Sequence, residues 1–231
     1  MTIQLYDLTG KDQARPFSPH CWKVKLALAH KGLDFESVPT SFLDVPKVEN
    51  GFGKIVPVVR DGDKIISDSF QIALYLEETY PDRPTLFGGQ GGIAHAKFVE
   101  SWALTTLHSQ VAVVAVEEIC AMLDSADQDY FRTSRENMFK KTLEQVSEGK
   151  SAVIAGLPEK LKPLSHMLNS QKFIGGDQPL FADYIVFGAL QWARISSATQ
   201  MLPEGDVVTD WFNRCLDLHD GIGRSVSSAA E

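Results

Sequence analysis

Ser18-Pro19-His20-Cys21 sits between a short alternating run and a helix-periodic one, and its setting decides how the chain is read. Upstream, Ile3 and Leu5 alternate with Gln4 and Tyr6 at the period of a strand. Downstream, Cys21, Val24 and Leu28 recur beside Trp22, Leu26 and Ala29 at helical spacing as far as Lys31, and Gly32 ends the helix. Further along, Asp34 to Pro39 alternates again as a weak second strand. Val56 to Arg60 and Lys64 to Ser67 then flank Asp61-Gly62-Asp63, a hairpin with an Asp-Gly turn. Asp68-Ser69 supplies two N-cap candidates for a helix from Phe70 to Tyr80, closed by Pro81. The order of elements is βαβ–ββα.

From about residue 90 the character changes to long helix-periodic tracts rich in Ala, Leu, Val and Glu, with Gly and Pro between them. Gly88-Gly89-Gln90-Gly91-Gly92 is the expected linker, since glycines without apolar neighbours leave nothing to pack. We therefore expect an α/β domain over residues 1–88 and an all-helical domain over 89–231, the latter broken once at Gly175-Gly176-Asp177-Gln178-Pro179.

Bulk properties narrow the function classes. A 231-residue chain with 44% hydrophobic and 23% charged residues has ordinary globular composition and length for a sizeable core. Three widely separated cysteines (Cys21, Cys120, Cys215) support neither a disulfide framework nor a cysteine zinc site, so no metal is expected, and a reducing, cytoplasmic compartment fits. The first residues have no basic stretch followed by an apolar run, and no membrane-length apolar segment occurs, so neither export nor membrane insertion is expected. A net charge of −8 argues against nucleic acid as a partner. The acidity is uneven: 10 Lys and Arg meet 12 Asp and Glu in residues 1–88, against 12 and 18 in residues 89–231. An anionic small ligand is better housed in the first part.

Three positions carry candidate chemistry. Ser18-Pro19-His20-Cys21 looks like a C-x-x-C redox motif whose first cysteine is Ser. In a thioredoxin-like βαβ–ββα fold that position lies at a helix N-terminus, where free backbone N–H groups and the helix dipole stabilise a thiolate. Ser18 cannot be a redox thiol, but its hydroxyl can donate to the thiolate of a separate cosubstrate; alternatively Ser18 and Pro19 only cap and start the helix. Cys21 shares the apolar stripe and reads as a buried structural thiol. His20 reads as a rim or solvent-facing residue. At Val56-Pro57, either a cis bond turns the backbone of Val56 outward to pair with a peptide, or Pro57 is a trans residue on an edge strand. Asp68-Ser69, beyond plain capping, offers a serine hydroxyl and backbone N–H groups to a carboxylate and a carboxyl group to an ammonium.

Taken in that order, the three positions resemble the glutathione transferase superfamily, and the likeness runs over nearly the whole chain. It is carried by the Ser18 loop, Ile55-Val56-Pro57-Val58, Asp68-Ser69 with Ile72 and Tyr75-Leu76, and Gly175-Gly176-Asp177 with Phe181-Ala182-Asp183-Tyr184 in a helical second domain. The resemblance implies glutathione as cosubstrate, with Ser18 facing the sulfur as the catalytic residue, Val56 and Pro57 presenting backbone to the cysteinyl unit, and Asp68 and Ser69 holding the γ-glutamyl end. It implies a homodimer as well. Phe17 to Lys23, Tyr80-Pro81-Asp82-Arg83-Pro84 and Gly175 to Tyr184 look more specifically like the bacterial β-etherases of lignin breakdown and their fungal relatives.

That likeness implies transfer of glutathione sulfur to an electrophilic, aromatic substrate; the alternative is a non-catalytic, glutathione-dependent carrier of hydrophobic aromatics. Two departures stand out. Leu180 occupies the position of a polar N-cap three residues before Asp183, leaving that acid without a reciprocal partner, and Tyr6 lies inside the first strand, not at its end. Phe98, Trp102 and Thr105 share helical spacing and suggest either a substrate-facing aromatic wall or plain core.

Overall fold

The computed structural model describes residues 2–230. Strands β1 (Ile3–Leu8), β2 (Phe35–Thr40), β3 (Val58–Asp61) and β4 (Lys64–Ser67) form one sheet in the order β2-β1-β3-β4. β1 runs parallel to β2, with Ile3 opposite Phe35 and Leu8 opposite Thr40, and antiparallel to β3, where Tyr6 faces Val58. A parallel pair needs a crossover, and helix α1 (Pro19–His30) provides it. β3 and β4 form the hairpin, with Asp61 opposite Lys64 and Gly62 at φ 58°, the left-handed conformation that a tight turn demands. Helix α2 (Ser69–Thr79) follows, so the βαβ–ββα order stands; β3 starts two residues later and α2 one residue earlier than the sequence suggests.

The second part is helical: α3 (Gln90–Trp102), α4 (His108–Met122), α5 (Ser125–Phe139), α6 (Leu143–Ser147), α7 (Lys150–Leu168), α8 (Phe181–Ser196), α9 (Val207–Leu216) and α10 (Leu218–Gly221). Here the expected linker needs correction. α3 starts at Gln90, so Gly91 and Gly92 are helical, and a β-carbon on Gly92 would stand 1.6 Å from the carbonyl oxygen of Phe87. Gly92 is thus needed for close backbone approach, the opposite of a glycine with nothing to pack.

α8 is the central post. Of its sixteen residues only Trp192 and Arg194 are partly exposed, as suits a helix that is apolar all round and enclosed by others. It packs along α1, with Trp22 edge-on to Phe187 at 6.0 Å, and so joins sheet layer to helical layer. At its start Asp183, fully buried, accepts from the backbone N–H groups of Ile174 (2.7 Å), Gly175 (2.9 Å) and Leu180 (2.9 Å) and from the Trp211 indole (2.8 Å). The missing N-cap hydroxyl is therefore made good from elsewhere: the Gly175 break folds back onto Asp183, and α9 contributes an indole. No described helix is long and apolar enough to cross a membrane.

Candidate active site

The loop before α1 is anchored at both ends. Phe17 N–H donates to Leu8 at the end of β1 (3.1 Å), and the Trp22 indole donates back to the Pro16 carbonyl (2.9 Å). This leaves Ser18 as N-cap with φ −62° and ψ 125°, its hydroxyl oxygen accepting from Cys21 N–H at 3.3 Å. The capping role is therefore present. It does not compete with a second one, because accepting uses an oxygen lone pair and leaves the hydroxyl hydrogen free to donate. Ser18 is buried against the protein yet lines a cavity of about 720 Å³.

Cys21 points the other way. It is fully buried, with Sγ 3.7 Å from the Tyr6 carbonyl, and burial, seconded by the nearby Asp7, pushes its thiol well above the ordinary range. A thiol held protonated is no nucleophile. His20 is half-buried and lines the same cavity as Ser18, its ring 5.1 Å from that of His108. Burial, and then the charge of Lys23, hold His20 well below the usual histidine range and bring His108 to about 4, so both rings are neutral near pH 7. His20 is thus a residue of the cleft wall, not a solvent-facing one. Lys23, one turn along α1 and with its side chain fully buried, pairs with Glu100 of α3 at 2.9 Å; nothing in its spacing signals that pairing.

The Val56–Pro57 bond is cis, so Pro57 is not the trans residue of the alternative reading. Val56 lies outside the paired registers of β3 and lines the cavity, while Pro57 is buried beneath it. Asp68 caps α2: its Oδ1 accepts from Phe70 and Gln71 N–H at 3.0 Å each. Its φ of 73° is left-handed, unusual for a residue other than glycine and held in place by that capping pair. Asp68 is exposed and Ser69 buried, and the charge of Asp68 reaches Lys23 on α1. The structure therefore brings Ser18, His20 and Val56 onto one cavity and leaves Pro57, Asp68 and Ser69 outside its lining.

The cavity's far wall is aromatic, but not where the sequence suggests. Phe98 is 72% exposed, and neither it, Trp102 nor Thr105 lines the cavity. Ala103–Leu107 is a π-helical segment, which shifts the phase of the α3–α4 helix, so spacing read across it points to the wrong face. The stripe that does face the cavity is Leu104, His108, Ala112 and Val116. Opposite stand Phe17, Phe42 and Phe131, with Phe42 6.2 Å from Phe17 and 5.4 Å from Phe131. Phe42 is held there by a buried acid of α5: Asp127 accepts from the N–H groups of Phe42 (2.8 Å) and Leu43 (3.0 Å). That link between residues far apart in sequence has no local signature.

A thioredoxin-like sheet layer with serine in place of the first motif cysteine, backed by a helical layer that walls an apolar cavity, defines a two-layer class of thioredoxin-like proteins. Comparison with known proteins gives the family. Residues 14–84 match the glutathione S-transferase N-terminal domain and residues 94–216 the glutathione S-transferase C-terminal domain, and the chain belongs to the glutathione S-transferase family, whose cosubstrate is glutathione. It is 26% identical over 212 residues to the glutathione S-transferase-like protein ustS of Aspergillus flavus, covering 78% of this chain and 75% of that one. It is also 45% identical over 69 residues to glutathione S-transferase Z1 of Arabidopsis thaliana, but that match covers 28% of this chain and only 31% of the relative. Among solved structures it superposes on glutathione transferase GSTFuA3 of Phanerochaete chrysosporium with TM-score 0.74 and 26% identity, covering 96% of this chain and 92% of that one. On a glutathione S-transferase of Ceriporiopsis subvermispora in complex with glutathione the TM-score is 0.75 at 24% identity, over 95% and 97% of the two chains, a likeness of fold.

Proposed function

We propose that this chain is a glutathione transferase in which Ser18 donates a hydrogen bond to the glutathione thiolate, and that the sulfur attacks an electrophilic carbon of an aromatic substrate. The observation that carries the reading is that Ser18 lines the cavity that Val56 also borders and that aromatic side chains enclose. In this reading Val56, turned out by the bond to Pro57, pairs with the cysteinyl backbone of glutathione. Asp68 and Ser69, at the start of α2, take the γ-glutamyl ammonium and carboxylate. In the β-etherase form of the reaction a sulfur–carbon bond forms, the carbon–oxygen bond breaks, and the phenolate leaves with the electron pair to take a proton from solvent. The division of labour would follow residues 1–88 for glutathione and 89–231 for most of the electrophile pocket.

A cytoplasmic homodimer completes the proposal; for the dimer, the support is that Phe52 and Phe98 are 51% and 72% exposed and would be covered by a second copy. Ultraviolet titration of the bound thiol tests the mechanism: the glutathione thiol should ionise at lower pH on the protein than free in solution, and an unchanged value would overturn it. Lowering a thiol pKa by about 2 from its usual 8.5 raises the thiolate fraction at pH 7 more than tenfold. Turnover of aryl ethers separates the enzyme from a non-catalytic carrier, which would bind aromatics without consuming glutathione.

A further inference from the structure

The charge on the cavity wall is one-sided. Lys54 and Arg135 line it, and among the described residues no Asp or Glu does, in a chain that carries eight more acidic than basic residues. Arg135 is the unusual member. It is half-buried on α5, with its guanidinium 4.8 Å from the Phe131 ring centre and 5.8 Å from that of Phe42, the rings that form the wall. Its hydrogen bond goes to the Ser134 hydroxyl at 3.1 Å, and among the described residues no carboxylate lies within ion-pair distance of it. Arg132, one turn earlier on the same helix, faces Glu136 and Glu144 at 2.9 Å each. Burial lowers the pKa of Arg135, the mark of a cation whose charge is poorly compensated. A planar guanidinium fixed by stacking, with its fork of donors left open to an apolar cavity, is suited to bidentate recognition of a carboxylate.

We propose that Arg135 binds a carboxylate of the electrophilic substrate, so that the enzyme selects aromatic carboxylic acids whose acid group lies at the end remote from the reacting carbon. The remoteness follows from the wall: Phe17, adjacent to Ser18, neighbours Phe42, and Phe42 neighbours Arg135, so an arene lying along these rings has one end near Ser18 and the other at the guanidinium. A cavity of about 720 Å³ falls within the usual range for small-ligand sites. This inference rests on the transferase reading above for the position of the sulfur, but the anion site itself does not.

The test uses a chloronitrobenzoate with the carboxylate para to chlorine, alongside its primary amide. With either, the thiolate sulfur bonds to the ring carbon, chloride leaves with the bonding pair, and the thiol proton passes to solvent. Arg135→Gln should lower kcat/KM for the acid at least tenfold while changing that for the amide less than twofold, which separates the effect from the differing reactivity of the two compounds. A parallel titration of 4-phenylbutanoate and its amide, followed by the change in total tryptophan fluorescence, to which Trp192 in the cavity wall contributes, requires no turnover. The acid alone should bind more weakly to Arg135→Gln, and any loss of acid binding in Lys54→Gln should be the smaller of the two. Equal losses for acid and amide, or an acid preference that vanishes with Lys54→Gln instead, would overturn the proposal. So would a wild-type protein with no preference for the acid, a result that needs no variant to fold. Acid-selective binding without turnover would uphold the anion site and defeat the transferase reading; turnover of neutral arenes without acid preference would do the reverse.

Discussion

Gly188, at the middle of α8, lies against the carbonyl oxygen of Pro19: a β-carbon there would stand 2.3 Å from that oxygen and 3.5 Å from Cγ of Lys23. The contact sets how near the central helix comes to the first turn of α1, and hence where Ser18 sits. In an exposed helix, Gly→Ala stabilises by about 1 kcal/mol. Here the sign should reverse. Gly188→Ala must push α8 off the Pro19 backbone, and overpacking of this kind costs about 1 to 3 kcal/mol. Thermal unfolding should show a lower Tm, with a fall in kcat/KM as the Ser18 turn shifts; a stabilised, fully active variant would mean that α8 yields freely.

Ser18 combines capping with the proposed catalytic hydrogen bond, and two substitutions separate the roles. Ser18→Ala loses both, and an alanine N-cap costs about 1 kcal/mol of stability. Ser18→Gly loses the hydroxyl, yet glycine is tolerated as an N-cap at a cost of only a few tenths of a kcal/mol. Both variants should lose about 10- to 150-fold in kcat, the size of one hydrogen bond to a charged group, with little change in glutathione affinity. If Ser18→Gly retained full kcat, the thiolate would be stabilised by the helix N–H groups alone.

What could be read from the sequence divides by range. β1, α1, the hairpin and α2 follow from periodicity, the Asp-Gly turn and caps within a few residues, because these depend on neighbours in the chain. Ser18 and Val56 could be picked out for the same reason: a helix start and a proline before a strand are local signals. The cavity's remaining wall was hidden because it is assembled at long range. Asp127 fixes Phe42 across 85 residues, and a π segment shifts the face of the α3–α4 helix between Trp102 and His108. Arg135 carries no signal in the sequence, because an arginine on a polar helix such as α5 has the pattern of a solvated residue.

Cys21 offers a check on where the thiol chemistry resides. Because burial raises its pKa and Cys120 and Cys215 are buried too, the native protein should resist alkylation by iodoacetamide at Cys21, as read by mass spectrometry, until denaturant is added. Cys21→Ser should lower stability by about 1 to 3 kcal/mol through the buried hydroxyl and leave kcat of the folded protein nearly unchanged. Loss of turnover in a folded Cys21→Ser variant would move the chemistry from the cosubstrate to the protein.

Acid should weaken the fold through its half-buried histidines. His219 has Nε2 3.0 Å from the Tyr184 hydroxyl oxygen, and burial, then the neighbouring His30, lower its pKa from 6.5 to about 4. Between those values the unfolded chain takes up a proton that the folded one refuses. The contribution of His219 is therefore complete above pH 6.5 and is lost as the pH falls towards 4. Urea unfolding of wild type and His219→Gln should show a difference in stability that shrinks across that window and is flat above it. Other groups, among them Asp183 with its raised pKa acting in the opposite sense, cancel in the difference. A difference independent of pH would show that His219 is not held neutral.

Asp183 should be the costliest polar position to alter conservatively. Its Oδ1 accepts from Ile174 N–H and the Trp211 indole, and its Oδ2 from Gly175 and Leu180 N–H, so each oxygen meets two donors. In Asp183→Asn, whichever way the amide turns, its NH₂ group faces two N–H groups and leaves them unsatisfied in a buried site. At about 1 to 3 kcal/mol for each buried group left without a partner, the loss should exceed about 3 kcal/mol. Trp211→Phe removes a single donor and leaves Asp183 three others, so its hydrogen-bond loss should be about 1.5 to 3 kcal/mol, the value of one bond to a charged acceptor. Because Asp183 does not line the cavity, the folded fraction of either variant should keep its kcat. Urea unfolding gives the order of the two losses; if Asp183→Asn proved no worse than Trp211→Phe, the backbone donors would be finding water in place of the carboxylate, and the Gly175 turn would be looser than its hydrogen bonds indicate.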